Sequence, residues 1–411
     1  MHRPTGLSQW QQTVSMHLPH LSKPQVAVLA LWSLGIVLAQ HCGLSTVSFL
    51  LGCLLDQRPT CLRERLRDWL CAALDKSGVR RGHKRRSLLV SSCFAPLLRW
   101  VLSLLPAECR RLALVMDAST LSDRFIVLSL SVVVRGSAIR VAWHIRPSAR
   151  KGAWRPEWEA LFGHLHGAVP EDWTVIVLAD RGLWAKWLFQ SITAQGWHPF
   201  LRINRQGHYQ PAKNAAFRPL SQVVKRGGAG WAGRVTCFAT KARQLECTLL
   251  ARWEVGYRDP WLILTDLAPE AADVAWYGLR AWVETGYKQT KRGGWHWEQS
   301  KLRDPERAER LWLALAVATL WVVSVGSAAE AAEQPCELSK LPARHVARRT
   351  ARGLRPPRTL SCYRHGRLLV LASFISGGAL PPMALVPEPW PESLDRVVAG
   401  RASEQPHSKA A

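Results

Sequence analysis

Between Arg110 and Ile203 the chain alternates its texture in an order that few folds accept. Leu112–Met116 is a short apolar run that ends at Asp117. Phe125–Val134 and Ile139–Ile145 are rich in β-branched residues and are separated by Arg135-Gly136-Ser137, a hairpin signal. Trp158–His166 has helical texture, and Thr174–Ala179 is an apolar run that stops at Asp180. Leu183–Gln195 returns to helix and Pro199–Ile203 to strand. The order β-β-β-α-β-α-β predicts a mixed α/β fold, a mixed sheet with helical cover.

The flanks differ in character. Residues 1–105 read as all-helical: Pro24–Leu55 is apolar with helical periodicity and a turn at Gly43, and Cys61–Leu74 is amphipathic. The run that follows contains Arg80, Arg81, Lys84, Arg85 and Arg86. Such a run is a solvated face or, beside a helical pair, a phosphate-contacting element of an N-terminal DNA-binding domain. Residues 106–206 form the first part of the sheet-containing core. Residues 207–266, with Gly227-Gly228-Ala229-Gly230 and several short β-prone runs, read as a β-rich insertion. The core resumes over 267–332, with one helix from about Glu270 to Lys291 and a second from Pro305 to about Ala332. Residues 333–411 are a basic C-terminal region that includes Arg344, Arg348, Arg364 and Arg367.

Lys plus Arg number 55 against 30 Asp plus Glu, a net charge of +25. That excess favours a polyanionic partner, nucleic acid before an acidic membrane surface. None of the ten cysteines forms a C-x-x-C pair, so zinc-ribbon and zinc-finger architectures are not expected. The first twenty residues lack the charged-then-apolar order of a signal peptide, and a cytoplasmic location is expected. Leu311–Ala328 is uncharged and close to membrane-spanning length, but its Thr319, Ser324, Gly326 and Ser327 also suit a buried helix. The expectation is a buried helix and no membrane.

Asp117 and Asp180 each follow an apolar strand. Either alone also reads as an ordinary strand end or turn residue. If the two strands are neighbours, both carboxylates reach one hard cation, and oxygen-only ligation selects Mg²⁺ or Mn²⁺. Tyr277, Arg280, Glu284 and Lys291 stand at offsets 0, 3, 7 and 14. At about 100° per residue these fall within an arc of about 60° on one face of one helix. That face is either the polar side of an ordinary amphipathic helix or one suited to bring a carboxylate to a cation while a phenol and two cations hold phosphate. Gly286 is an unfavourable interior residue, so the helix is expected to loosen before Lys291.

Asp117, Asp180 and Glu284 resemble the acidic triad of DDE transposases, which lies on an RNase H-like fold. The Tyr-x2-Arg-x3-Glu-x6-Lys pattern of Tyr277–Lys291 is similar to the signature of IS4-type insertion-sequence transposases, and Asp180-Arg181-Gly182 resembles their second-Asp motif. The resemblance spans about Leu112 to Ala332. It implies an RNase H-like catalytic core interrupted by a β-rich insertion. It implies two Mg²⁺ (or Mn²⁺) ions about 4 Å apart, held by Asp117, Asp180 and Glu284. It also implies that Tyr277, Arg280 and Lys291 grip phosphates at the cleaved DNA end. The expected partners are the element's terminal repeats, target DNA and a second copy of the chain when bound to DNA, on the bacterial nucleoid. Trp184 reads first as packing between the following helix and the sheet, and by the resemblance as a stacking platform for a flipped base. Two other readings stay open: an RNase H-type nuclease that does not join strands, and a non-catalytic DNA-binding protein derived from a transposase.

Overall fold

In the computed structural model of the chain, the described residues are 5–76, 87–121, 123–149, 154–333, 360–387, 389–393 and 396–398. The basic run Arg80, Arg81, Lys84, Arg85 and Arg86 lies outside them. So does most of the C-terminal basic region, although Arg364 and Arg367 are described.

The alternating stretch forms β1 (Arg111–Leu121), β2 (Phe125–Val134), β3 (Ser137–Pro147), α6 (Arg155–Leu165), β4 (Thr174–Ala179), α7 (Lys186–Thr193) and β5 (His198–Arg202). β1, β2 and β3 pair antiparallel, while β4 joins β1 and β5 joins β4 in parallel, giving the order β3-β2-β1-β4-β5. This mixed sheet with helical cover is the α/β, RNase H-like arrangement expected. The strands are buried along nearly their whole length because helices cover the sheet, so they read as continuous apolar runs rather than alternating ones.

Residues 207–266 supply strands but do not stand apart as a separate sheet. They contribute β6 (His208–Gln210), β7 (Arg218–Pro219), β8 (Gly230–Cys237), β9 (Leu245–Arg252) and β10 (Trp261–Thr265). β10 pairs antiparallel with β5, so the sheet continues as β5-β10-β9-β8-β6-β7. A short C-terminal strand, β11 (Arg396–Val398), lies parallel to the first half of β8.

The N-terminal helices are α1 (Thr5–His17), α2 (Lys23–Ala39), α3 (Leu44–Leu55), α4 (Pro59–Leu70) and α5 (Phe94–Ser103). With α8 (Trp282–Thr290) numbered in its place, the longest helix among the described residues is α9 (Pro305–Glu333). By length and composition α9 could cross a membrane, but here its apolar window is almost wholly enclosed by protein. Trp10 of α1 stacks on Trp321 with ring centroids 3.9 Å apart, and Trp69 of α4 donates to the Arg310 carbonyl. Thr319, one of the hydroxyls that suited a buried helix, accepts from Trp295 Nε1 at 2.9 Å and donates to the Leu315 carbonyl. The start of α9 also closes the sheet edge, where Glu309 Oε1 accepts the Ile145 N–H of β3 at 2.8 Å.

The apolar Leu368–Phe374 run lies within α10 (Cys362–Ser376), whose first turn is capped by Ser361 accepting from the Arg364 N–H. α10 and α9 meet backbone to backbone. A Cβ at Gly366 would collide with the Val322 carbonyl, and one at Gly326 with the Cys362 carbonyl. Gly366→Val is therefore expected to unseat α10. Limited proteolysis should then cut within 360–376 under conditions that leave the unsubstituted chain intact, with a melting temperature several degrees lower. Unchanged protease resistance would mean the two helices do not rely on this close approach.

Candidate active site

Parallel pairing runs from Arg111↔Thr174 to Val115↔Leu178. Two residues further along each strand stand Asp117 and Asp180, so the sheet brings them to the same rim. β1 does not end at Asp117 as its apolar run implied. It continues to Leu121, because Asp117 through Leu121 remain paired with β2, from Asp117↔Ser129 to Leu121↔Phe125. Asp117 thus sits where β1 parts from β4 while still held by β2. Asp180 opens a turn: its Oδ1 accepts the Arg181 N–H and its carbonyl accepts Leu183 N–H at 2.9 Å.

The glutamate segment differs from the single helix expected. Val274–Ala281 is a 3₁₀ helix, and α8 begins only at Trp282. Asp273 starts the tighter helix by accepting the Ala275 N–H at 2.9 Å. Residues three apart eclipse in a 3₁₀ turn, so Tyr277 and Arg280 still share a face. Nor does α8 loosen at Gly286. It runs to Thr290, and Gly286 lets it approach Ala138 of β3 more closely than a side chain would permit.

Three of these four residues bond to the sheet rim. Tyr277 is buried, and its hydroxyl donates to the Ala179 carbonyl at 3.3 Å, beside Asp180. Arg280 Nη2 lies 2.7 Å from Asp117 Oδ1 and 3.6 Å from Asp180 Oδ2. Glu284 is exposed in the first turn of α8. Lys291 follows the last turn of α8, and its Nζ donates to Ser119 Oγ at 3.2 Å and the Thr120 carbonyl at 3.0 Å. Trp184 is half-buried, stacked on Phe238 at the end of β8 with centroids 5.1 Å apart, and so packs against the inserted strands.

The electrostatics couple the acids. Burial raises the Asp117 pKa above the ordinary carboxylate value. Arg280 pulls it back, and the charges of Asp180 and Glu284 push it up again, for a net rise. Burial alone would lower the Arg280 pKa, but Tyr277, Asp117, Asp180 and Glu284 outweigh it and raise it. Lys291 is lowered, first by burial and then by Arg140, against the pull of Glu298 and Asp117. Among the described residues no three His, Cys, Asp or Glu side chains gather closely enough to form a ready metal cluster. The Arg280 guanidinium lies between two of the acids, where it supplies the positive charge they require. An oxygen-only donor set with mutually repelling carboxylates fits a hard divalent cation.

The same rim carries basic residues that the sequence reading passed over. A cavity of about 420 Å³ beyond Asp180 is lined by Arg181, Arg202, Asn204, Arg205 and Asp259, among others. Arg181 pairs with Asp259 at 3.3 Å, and Arg202 Nη2 donates to the Pro260 carbonyl. The signal was available: Arg202–Arg205 follows the apolar Pro199–Leu201 of a parallel strand, as Asp180 follows β4. Ligands in such sheets bind outside the carboxyl ends of the strands.

Part of the chain is similar to a known family. Residues 155–321 match the family model of the transposase DDE domain, and the match supports a DDE transposase. The matched span takes in Asp180 and the whole of Tyr277–Lys291, while Asp117 precedes it. No curated protein matches the chain.

Proposed function

We propose that the chain is an IS4-type insertion-sequence transposase, which cleaves DNA at the ends of its element and joins the freed 3′-hydroxyl to target DNA. The observation that carries this reading is the convergence of Tyr277, Arg280 and Lys291 on β1 and the end of β4, beside Asp117 and Asp180. Strand hydrolysis alone needs carboxylates; it does not need the two cations Arg280 and Lys291 spaced along the segment that supplies the third.

In this reading Asp117, Asp180 and Glu284 hold Mg²⁺ or Mn²⁺, two ions per site. Ions held by these carboxylates would supply the Lewis acidity that activates a water or a 3′-hydroxyl and offsets charge on the scissile phosphate and the leaving oxygen. The chain's own residues do the positioning. Lys291, fixed over the end of β1 by Ser119 and Thr120, presents a cation to a phosphate near Asp117. Arg280 offers a planar fork to a phosphate oxygen once it leaves Asp117. Tyr277 holds the 3₁₀ segment to the end of β4, which keeps Arg280 in reach of both aspartates. Arg181, Arg202 and Arg205 extend the positive rim along the strand being handled. The partners are element ends, target DNA and a second copy of the chain, in the cytoplasm and on the nucleoid.

The test is purified protein with Mg²⁺ on a labelled duplex that carries the element's own terminal repeat. The expected products are a 3′-hydroxyl at the element end and its joint with target DNA. Cleavage without joining would move the reading to an RNase H-type nuclease. Specific binding without cleavage, in Mg²⁺ or Mn²⁺, would move it to a non-catalytic DNA-binding protein.

A further inference from the structure

Beneath the acidic rim lies a buried cation that the reading above does not use. Arg140 of β3 is almost fully enclosed, and its Nε and Nη2 have no hydrogen-bond partner. Its guanidinium carbon lies 4.7 Å from the Tyr287 ring centroid and 4.9 Å from that of Trp312, so it is held between α8 and α9. A β-bulge places it there. β2 pairs Leu130 with Ala142 but Ser131 with Arg140, so Val141 is the extra residue. Without the bulge, alternation would send Arg140 to the opposite face. With it, Arg140 shares the face of Ser129 and Ser131, and Ser129 is the cross-strand partner of Asp117.

Tyr287 links these parts. It stands one turn after Glu284 on α8, and its hydroxyl is 2.8 Å from Ser129 Oγ. A buried guanidinium with two nitrogens lacking hydrogen-bond partners is costly, and two aromatic faces offset only part of that cost. Asp117, the cross-strand partner of Ser129 on the same face, supplies a further opposing charge. Burial pushes the Arg140 pKa down to about 10, and Tyr287 and Asp117 act against that fall. A core residue kept only for packing would be apolar.

We propose that Arg140 is a positioning residue of the acidic site: a fixed cation beneath it that offsets the charge of Asp117 and, through Tyr287, seats α8 so that Glu284 stays at the rim. The proposal rests on the reading of Asp117, Asp180 and Glu284 as a cation site.

Mn²⁺ titration of the metal-free protein, followed by electron paramagnetic resonance, tests it alongside cleavage rates at saturating Mn²⁺. The variants are Arg140→Met, Arg140→Lys and Tyr287→Phe, each with its melting temperature. Arg140→Met removes a cation that repels Mn²⁺ and is expected to bind it on the order of tenfold more tightly, yet to cleave about tenfold more slowly. Arg140→Lys keeps the charge and is expected to bind Mn²⁺ as the unsubstituted chain does and to recover most of the cleavage rate. Tyr287→Phe is expected to leave Mn²⁺ affinity unchanged and to slow cleavage. Unchanged Mn²⁺ affinity in Arg140→Met overturns the proposal, whatever happens to its melting temperature. If Arg140→Met does not fold, weaker or tighter Mn²⁺ binding by Arg140→Lys, or full cleavage by Tyr287→Phe, overturns it instead. No Mn²⁺ binding by the unsubstituted chain would overturn the cation-site reading itself, and the proposal with it.

Discussion

Glu284→Gln and Asp180→Asn are each expected to reduce cleavage at the element end by at least about 10³-fold, a loss of about 4 kcal/mol of transition-state stabilisation. Glu284 is exposed and the Asp180 side chain is 43 % exposed, and neither belongs to the apolar core. Their melting temperatures should therefore stay close to that of the unsubstituted chain. Gel analysis of a labelled duplex in Mg²⁺, with a melting curve for each protein, separates lost chemistry from lost fold. Cleavage within tenfold of the unsubstituted rate in either variant would remove that carboxylate from the site.

Asp117→Asn should lose activity as fully but differ in stability. The pKa of Asp117 is raised in the fold, net of its bond with Arg280, so the ionised form is the disfavoured one. An acid raised in this way contributes stability at pH below its unfolded value, and that contribution is lost as pH rises through the folded value. Asparagine carries no charge at either pH. Metal-free Asp117→Asn should accordingly melt above the unsubstituted chain at neutral pH, with the gap closing as the pH falls through the carboxylate range. A lower melting temperature at neutral pH would show that the bond with Arg280 outweighs burial.

Much of this site was legible because its strands are plain apolar runs with sharp ends. Phe125–Val134 and Thr174–Ala179 are strands over the residues read from sequence, since turn residues bound both. The rule that a carboxylate following a parallel strand stands at the rim then located Asp117 and Asp180. Applied to β5, the same rule would have found Arg202 and Arg205. What was not legible depended on packing. The continuation of β1 through polar Ser119 and Thr120 depends on β2 across from it. The 3₁₀ turn around Tyr277 shares its three-residue spacing with an α-helix, so the sequence pattern does not distinguish them. Arg140 reaches the site only by a bulge, and a one-residue register change leaves no mark on composition. The N-terminal helices gave no sign in sequence that their Trp10 and Trp69 would close around α9.

The second large effect is expected at Arg280, the residue whose side chain stands between the two aspartates. At 2.7 Å from Asp117 and 3.6 Å from Asp180, with only 15 % of its side chain exposed, it is both the counter-charge of the resting acids and the fork assigned to DNA phosphate. One guanidinium cannot do both at once, so loading the acids with a cation and handing Arg280 to phosphate should be linked steps. Arg280→Ala leaves Asp117 and Asp180 without their shared counter-charge, and a half-buried pair broken on one side costs about 1–3 kcal/mol. The metal-free variant should melt a few degrees lower, and Mg²⁺ should restore it, because a ligand that binds only the folded state stabilises it. The unsubstituted chain, whose acids already have a cation, should gain less from the same Mg²⁺. Cleavage should fall by about 10²–10³-fold even at saturating Mg²⁺, since the phosphate has lost its fork. Arg280→Lys should keep the metal-free melting temperature and recover only part of the rate, because an ammonium is a point charge without the planar geometry. Equal Mg²⁺-dependent shifts in Arg280→Ala and the unsubstituted chain would show that Arg280 does not hold the acids, and would leave it a role with DNA alone.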